Sequence, residues 1–254
     1  MIKHTMEKQT PQLSIVLVAI NNLEITKRCL SSLEEFTSVP YEVVLIDNAS
    51  SDEVAANYYK SLSHIQYRFN ERVSLSEAWN KGIELAKGEI IAVINNDTIV
   101  PPAWELPLIE TLEKNPLAGM VTPLTFWLLK AHFRYNFFPE FKEVKKYKFD
   151  EPIKLEPYKG IVWGEFCLFR REALKNIGGY NTVYKQAGSE DLEILFQLYK
   201  HGYEVYLDPR VCVWHQGQAS RRDDILPKVE AESADKRNYE LFKSRWPEQT
   251  SHWS

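Results

Sequence analysis

The sequence predicts an α/β fold with a mainly parallel central sheet flanked by helices, and three observations carry that prediction. Four short apolar runs, SIVLVAI (14–20), YEVVLID (41–47), IQYRF (65–69) and IIAVI (90–94), recur through the first hundred residues. The segments between them place apolar residues at helical spacing. Two of the runs stop on polar clusters, one at Asp47 and one at Asn95, Asn96 and Asp97. Continuous β-branched runs belong to strands covered on both faces, and helical crossovers make such strands parallel and right-handed.

Each element follows from local rules. SIVLVAI reads as a buried strand, and Leu23, Leu30, Leu33 and Phe36 mark the apolar stripe of a helix that stops before Pro40. YEVVLID is the second strand, and DNASSD opens a helix through Tyr58 and Tyr59. IQYRF is a third, shorter strand. SLSE (74–77) has the S-x-x-E form of a capping box and predicts a helix to about Lys87, with Gly88 as its stop. EIIAVINND supplies the fourth strand. Further on, Ser189, Glu190 and Asp191 suit the first turn of a helix carrying Leu192, Ile194, Leu195 and Leu198. YEVYLDPRVCVW (203–214) is a late strand. The charged segment from about Asp224 to Trp246 reads as a helix that docks through Leu241, Phe242 and Trp246.

Composition narrows the functional classes. A chain of 254 residues with 44% hydrophobic content can bury a sizeable core. The expected organisation is one domain with two halves, residues 1–122 and 123–254. The net charge of -4 exerts no general pull on nucleic acid. Cys29, Cys167 and Cys212 form no CxxC pair, which suggests neither a zinc site nor a disulfide framework and fits a reducing compartment. No apolar run approaches the roughly 18 residues of a spanning helix. The expectation is a soluble cytoplasmic protein, with peripheral contact at the inner face of the membrane left open. A phosphate cradle of the GxxxxGK[ST] kind is missing, so a kinase or ATPase reading lacks its anchor.

The carboxyl ends of strands are where an open α/β sheet presents its ligand site. Asn-Asn-Asp by itself is equally well a turn, and Asp47 by itself suits a helix cap. Two carboxylates at the same edge of one sheet favour a ligand site.

Taken in order, SIVLVAINN, VVLIDNASSD, NKGI (80–83), AKGEIIAVINND, WGEFCLFRREALKNIGGYN (163–181), GSEDLEILFQLYKHGYEV (188–205) and VWHQGQAS (213–220) resemble the family 2 glycosyltransferases with the GT-A fold. The resemblance implies an inverting enzyme of polysaccharide synthesis. It would move a sugar from a nucleotide-diphosphate donor, a UDP- or dTDP-sugar, to a glycan, lipid-linked or protein acceptor. It also implies roles. Asp47 would hydrogen-bond the base, with Ala19 and Asn21 as another wall of the pocket. Asn96 and Asp97 fall at the D-x-D position, and Asp97 with His215 would hold Mg2+ or Mn2+ on the diphosphate. Asp191 would be the general base beside Glu190, and Trp163 and Gly164 would face the acceptor.

Several residues depart from the family pattern. The D-x-D position offers one carboxylate where some relatives offer two or three. Ile20 stands where an aromatic ring often stacks on the base, and Arg72 and Ser74 stand where Asn and Gly are usual; Arg72 would instead reach the nucleotide or simply face solvent. A sugar-nucleotide nucleotidyltransferase, or a catalytically weak binding module of the same fold, are the alternative readings. Residues 126–149 hold nine aromatic residues and six Lys or Arg against two Glu. That mixture suits packing over the sheet, stacking on an acceptor sugar, or peripheral contact with an anionic membrane.

Overall fold

The computed structural model describes residues 11–127, 132–133, 150–159, 164–185, 188–217 and 228–251. The first half alternates as β1 (Leu13–Ala19), α1 (Leu23–Phe36), β2 (Tyr41–Asp47), α2 (Glu53–Ser61), β3 (Ile65–Arg68), α3 (Leu75–Leu85) and β4 (Ile90–Asn95). β5 (Thr98–Ile99), α4 (Glu105–Lys114), β6 (Ala118–Trp127), β7 (His132–Phe133), β8 (Ile153–Lys154) and β9 (Phe166–Arg170) follow. The chain then runs through α5 (Arg171–Ile177), α6 (Glu190–Lys200), β10 (Glu204–His215), α7 (Lys228–Arg245) and α8 (Pro247–Thr250).

The described strands form one sheet in the order β3-β2-β1-β4-β9-β6-β10-β5, with β7 beside β6 and β8 beside β10. β1 runs parallel to β2 and β4, aligning Leu17 with Leu45 on one side and Ile94 on the other. Successive strand side chains point to opposite faces, so the unbroken apolar runs serve two cores. Leu13, Ile15 and Leu17 join Leu33 of α1 and Leu108 of α4 in one. Val16, Val44 and Val93 join Ala78 of α3 and Phe196 of α6 in the other. The sheet is therefore a middle layer between two helical ones.

Helix α3 lies close on the sheet for a local reason. Its capping box is complete, since Ser74 Oγ accepts from Glu77 N at 3.3 Å and Glu77 Oε2 accepts from Ser74 N at 2.9 Å. At Gly82 an added Cβ would stand 2.2 Å from Val16 Cγ1. Only glycine allows this helix to approach β1 so nearly.

Within this α/β architecture the structure adds what the sequence did not specify. The sheet is parallel from β3 to β4, but β9 is antiparallel to both β4 and β6, and β5 is antiparallel to β10. The division after residue 122 falls inside β6, so the two halves share one sheet. Helix α2 is capped by Asp52, which accepts from Val54 N and Ala55 N, and not by Asp47. Helix α6 starts from a left-handed Ser189 that makes no side-chain cap. Phe242 and Trp246 are buried as expected, whereas Leu241 faces solvent. Of residues 126–149, the structure describes only the strand backbone at 126–127 and 132–133, where Phe126 is paired with Phe133, and the Phe126 side chain. The rest of that segment, and Trp163, lie outside the described residues. Among the described residues no helix is long and apolar enough to cross a membrane.

The C-terminal helices attach to α6 through one buried carboxylate. Glu193 accepts from Trp246 Nε1 at 2.8 Å, Tyr184 Oη at 2.7 Å, Gln197 Nε2 at 3.1 Å and Arg245 Nη2 at 2.9 Å. Phe196 adds edge-on ring contacts with Phe242 and Trp246. Burial alone would raise the Glu193 carboxyl, but the bonds from Arg245, Trp246, Gln197 and Tyr184 outweigh it and bring its pKa from 4.5 to about 2. A carboxyl depressed in the folded state stabilises the fold above its unfolded pKa and loses that contribution as pH falls toward the folded one. Glu193→Gln is therefore expected to cost about 2–3 kcal/mol at neutral pH. Its stability should also fall less steeply than that of the wild type between pH 4.5 and 2. Thermal denaturation of both proteins across that range checks the expectation.

Candidate functional site

The site lies where β1, β2 and β4 end, because there the sheet's hydrogen-bond ladder stops and the chain turns into loops. After β1, Asn21 and Asn22 are both left-handed, a conformation that Asn tolerates better than most residues. The Asn21 side chain accepts from Asp52 N at 2.9 Å and donates to Ser51 Oγ at 3.2 Å, while its backbone N donates to Ser50 Oγ at 2.8 Å. After β2, Asn48 pairs both ways with Val73, accepting from its N and donating to its O at 3.0 Å each. The loop bearing the exposed Arg72 is thereby tied beside Asp47.

Asp47 is buried. Its Oδ1 accepts from Ser50 N at 2.8 Å and its Oδ2 pairs with Arg68 Nη1. Arg68 also donates to Ser50 O at 2.8 Å. Each carboxylate oxygen offers two acceptor sites, so this pairing leaves capacity for an incoming N–H donor. Arg68 was not among the residues expected from the sequence. Its signal lies in register, because β2 and β3 align Asp47 with Arg68. Ala19 is buried, and its carbonyl accepts from Asn48 N at 2.8 Å.

Asp97 meets His215 across the far side of the edge. β5 pairs antiparallel with the end of β10, setting His215 opposite Thr98, one residue beyond Asp97. His215 Nε2 lies 2.9 Å from Asp97 Oδ1, and Gln216 N donates to Asp97 O at 2.9 Å. Asn95 Nδ2 is 3.4 Å from the same His215 nitrogen. Asn96 points elsewhere, since its amide donates to Thr26 Oγ1 at 2.8 Å and so braces α1. A carboxylate oxygen beside an imidazole nitrogen, both buried, offers one oxygen and one nitrogen ligand to a divalent cation. Among the described residues no group of three or more His, Cys, Asp and Glu could hold a metal.

The second carboxylate pair stands across β4. Because β9 is antiparallel to β4, Asn95 N donates to Glu165 O at 2.9 Å, which fixes residues 164 and 165 at the same edge. Gly164 N donates to Asp191 Oδ2 at 3.3 Å, and Leu192 N donates to Asp191 Oδ1 at 2.9 Å. Buried Glu190 accepts from Gly188 N. Buried Glu165 was not singled out in the sequence, since the antiparallel strand that places it was not foreseen. Burial first, then the charges of Glu165 and Asp191, push the Cys167 thiol well above its ordinary pKa. Burial, Cys167, Asp191 and Glu190 do the same to the Tyr180 phenol. A carboxylate held at both oxygens by backbone amides has a fixed direction, which suits a proton acceptor.

A further residue, Asn80 of α3, ties the turn after α5 to α3. Its amide donates to Tyr180 O at 2.7 Å and accepts from Tyr180 N at 2.8 Å, clamping the GGYN turn to the first half of the sheet.

A parallel α/β sheet completed by antiparallel strands, with carboxylates gathered at its strand ends, defines a GT-A fold. The chain belongs to the family described as Glycosyl transferase family 2, whose profile matches residues 14–178. It is 24% identical over 214 residues to the poly-beta-1,6-N-acetyl-D-glucosamine synthase of Staphylococcus epidermidis, covering 82% of this chain and 50% of that protein. The chain thus spans about half the length of the curated relatives it matches. Among solved structures, GalNAc-T7 with UDP, GalNAc and Mn2+ shares the fold with a TM-score of 0.65 and 21% identity, covering 82% of this chain and 44% of the other. The mannosyltransferase PcManGT from Pyrobaculum calidifontis with GDP-Man and Mn2+ shares it with a TM-score of 0.61 and 22% identity, covering 82% and 58%.

Asn80→Ala removes both bonds to Tyr180 and leaves two buried backbone groups without that partner. A loss of about 1–3 kcal/mol in urea denaturation is expected.

Proposed function

We propose that the protein transfers a sugar from a UDP- or dTDP-sugar to an acceptor hydroxyl with inversion at the anomeric carbon, in the synthesis of a cell-surface glycan. One observation carries this reading. Asp97 lies two residues beyond Asn95, Asn95 is bonded to residue 165, and the adjacent Gly164 is bonded to Asp191. A carboxylate on the donor side and a candidate base thereby flank a single place on the sheet edge. The relative that makes poly-beta-1,6-N-acetyl-D-glucosamine, and fold neighbours holding UDP or GDP-Man with Mn2+, support the reaction class.

In this mechanism Asp47 accepts a hydrogen bond from the base, in a pocket walled by Ala19 and Asn21, with Arg68 neutralising its charge. Arg72 reaches the phosphates from its tethered loop. Asp97 and His215 would hold Mg2+ or Mn2+, which when bound offsets the negative charge of the leaving diphosphate. Asn96 acts indirectly, by fixing the turn that presents Asp97. Trp163 and Gly164 border the acceptor, a glycan, lipid-linked or protein hydroxyl. Asp191 takes the proton of that hydroxyl as its oxygen attacks the anomeric carbon. The bond to the diphosphate breaks on the opposite face, its electron pair leaves with the nucleotide, and the configuration inverts. Glu190, turned to the Gly188 amide, orients the loop beside the base.

Two variants test this assignment. Asp97→Ala should lower Mn2+-dependent UDP affinity several-fold or more while the fold survives, because strand-end side chains contribute little to the core. Calorimetry with Mn2+ and with a chelator reads the difference, and equal affinity in both conditions would remove Asp97 from the metal. Asp191→Asn keeps the shape but cannot take a proton, so nucleotide binding should persist while transfer falls by roughly 10² or more. Single-turnover transfer from UDP-N-acetylglucosamine at saturating donor measures it, and a rate near that of the wild type would place the base elsewhere.

A further inference from the structure

We infer that α7 and the residues just after it are a strap that positions the base, with Asn238, Arg245 and Glu193 as positioning residues. The inference rests on the reading of Asp191 as base. Helix α7 touches the base-bearing segment at three successive places. Asn238, buried on α7, donates from Nδ2 to Lys185 O at 3.0 Å, holding the chain just before the turn into α6. Asp235, one turn earlier on α7, stands against Gly188. A Cβ there would lie 2.6 Å from Asp235 Oδ1, and Gly188 has φ +114, a backbone that L side chains rarely adopt. At the end of α7, Arg245 and Trp246 converge on Glu193, two residues beyond Asp191.

Glu193 ties the strap to the other side of the same segment. It also accepts from Asn181 Nδ2 at 3.3 Å and from Tyr184 Oη. Asn181 and Tyr184 follow the turn that Asn80 clamps from α3. Residues 181–185 and 188–193 are thus held at the start by α3, at Lys185 and Gly188 by α7, and at the end by Arg245 and Trp246. Ser189, within that span, is left-handed and its side chain does not cap α6. The direction of the first turn, and with it Asp191, therefore depends on contacts from outside α6. Contacts of this kind place the first turn, within which the amides of Gly164 and Leu192 orient Asp191.

The test uses the full chain with Asn238→Ala and Arg245→Ala combined, and Arg245→Lys in the Asn238 background as the conservative partner. Two measurements need no acceptor. Hydrogen–deuterium exchange should quicken about tenfold or more at the amides of Gly188 to Leu192, with β1, β2 and β4 unchanged. In glycine-labelled protein, the Gly164 amide proton resonance, assigned by its displacement in Asp191→Asn, should move toward its position in that variant. Arg245→Lys should restore both in part. UDP affinity with Mn2+ should stay within twofold of the wild type, while single-turnover transfer falls about tenfold at unchanged KM for the donor. Unchanged exchange and an unmoved Gly164 resonance would overturn the strap, as would faster exchange spread evenly through the sheet. Failure of the base assignment is a separate result, seen as wild-type transfer by Asp191→Asn.

Discussion

A parallel strand that ends must hand its backbone polar groups to new partners, because buried N–H and C=O groups left unpaired are costly. In this protein asparagine side chains take that role, and the site's architecture depends on it. An amide presents a donor and an acceptor side by side, so it mimics the edge of a strand. Asn48 pairs this way with Val73 and Asn80 with Tyr180, in both cases through both backbone groups. Asn21 joins the loops after β1 and β2. Through these bonds the loops leave the sheet in fixed directions, and the carboxylates they carry are held in place before any ligand arrives.

The carboxylates divide by partner. Two that hold the scaffold are matched with cations. Glu193 takes Arg245, and fully buried Asp208 takes Arg210, whose guanidinium continues to Glu110. A buried carboxylate without compensation would carry a heavy desolvation cost, and these pairs offset it. By contrast, Asp191 accepts from the backbone amides of Gly164 and Leu192, and Glu190 from that of Gly188. Backbone amides orient a carboxylate oxygen along a fixed direction. Asp47 lies between the two cases, since Arg68 pairs with it from a half-exposed position.

The antiparallel strands explain how distant segments reach one edge. β9 returns beside β4 and brings Glu165 and Gly164 to Asn95, while β10 ends against β5 and brings His215 to Asp97. One strand pairing thus supplies Glu165 and another supplies the imidazole, from positions 70 and 118 residues beyond Asn95 and Asp97. The surroundings of Asp47 are local in sequence, and the rest of the edge is assembled from afar.

Much of the first half was legible in the sequence, because its signals are local. Apolar runs fixed β1 to β4 almost to the residue, and SLSE announced a capping box that forms in full. Asp47 and Asp97 were recognisable as strand-end carboxylates because a continuous apolar run cannot continue through them. Other features were decided by tertiary pairing alone. The side-chain direction of Asn96, the Arg68 partner of Asp47, the burial of Glu165 and the Gly164 amide at Asp191 depend on which strands lie together and in which register. The exposure of Leu241 beside buried Phe242 likewise follows from how α7 meets α6, which its charged sequence does not specify. Sequence determines where a strand ends and what chemistry it ends on, since both are set by neighbouring residues. Only the packed sheet decides what stands opposite, since that contact joins residues that the chain itself keeps far apart.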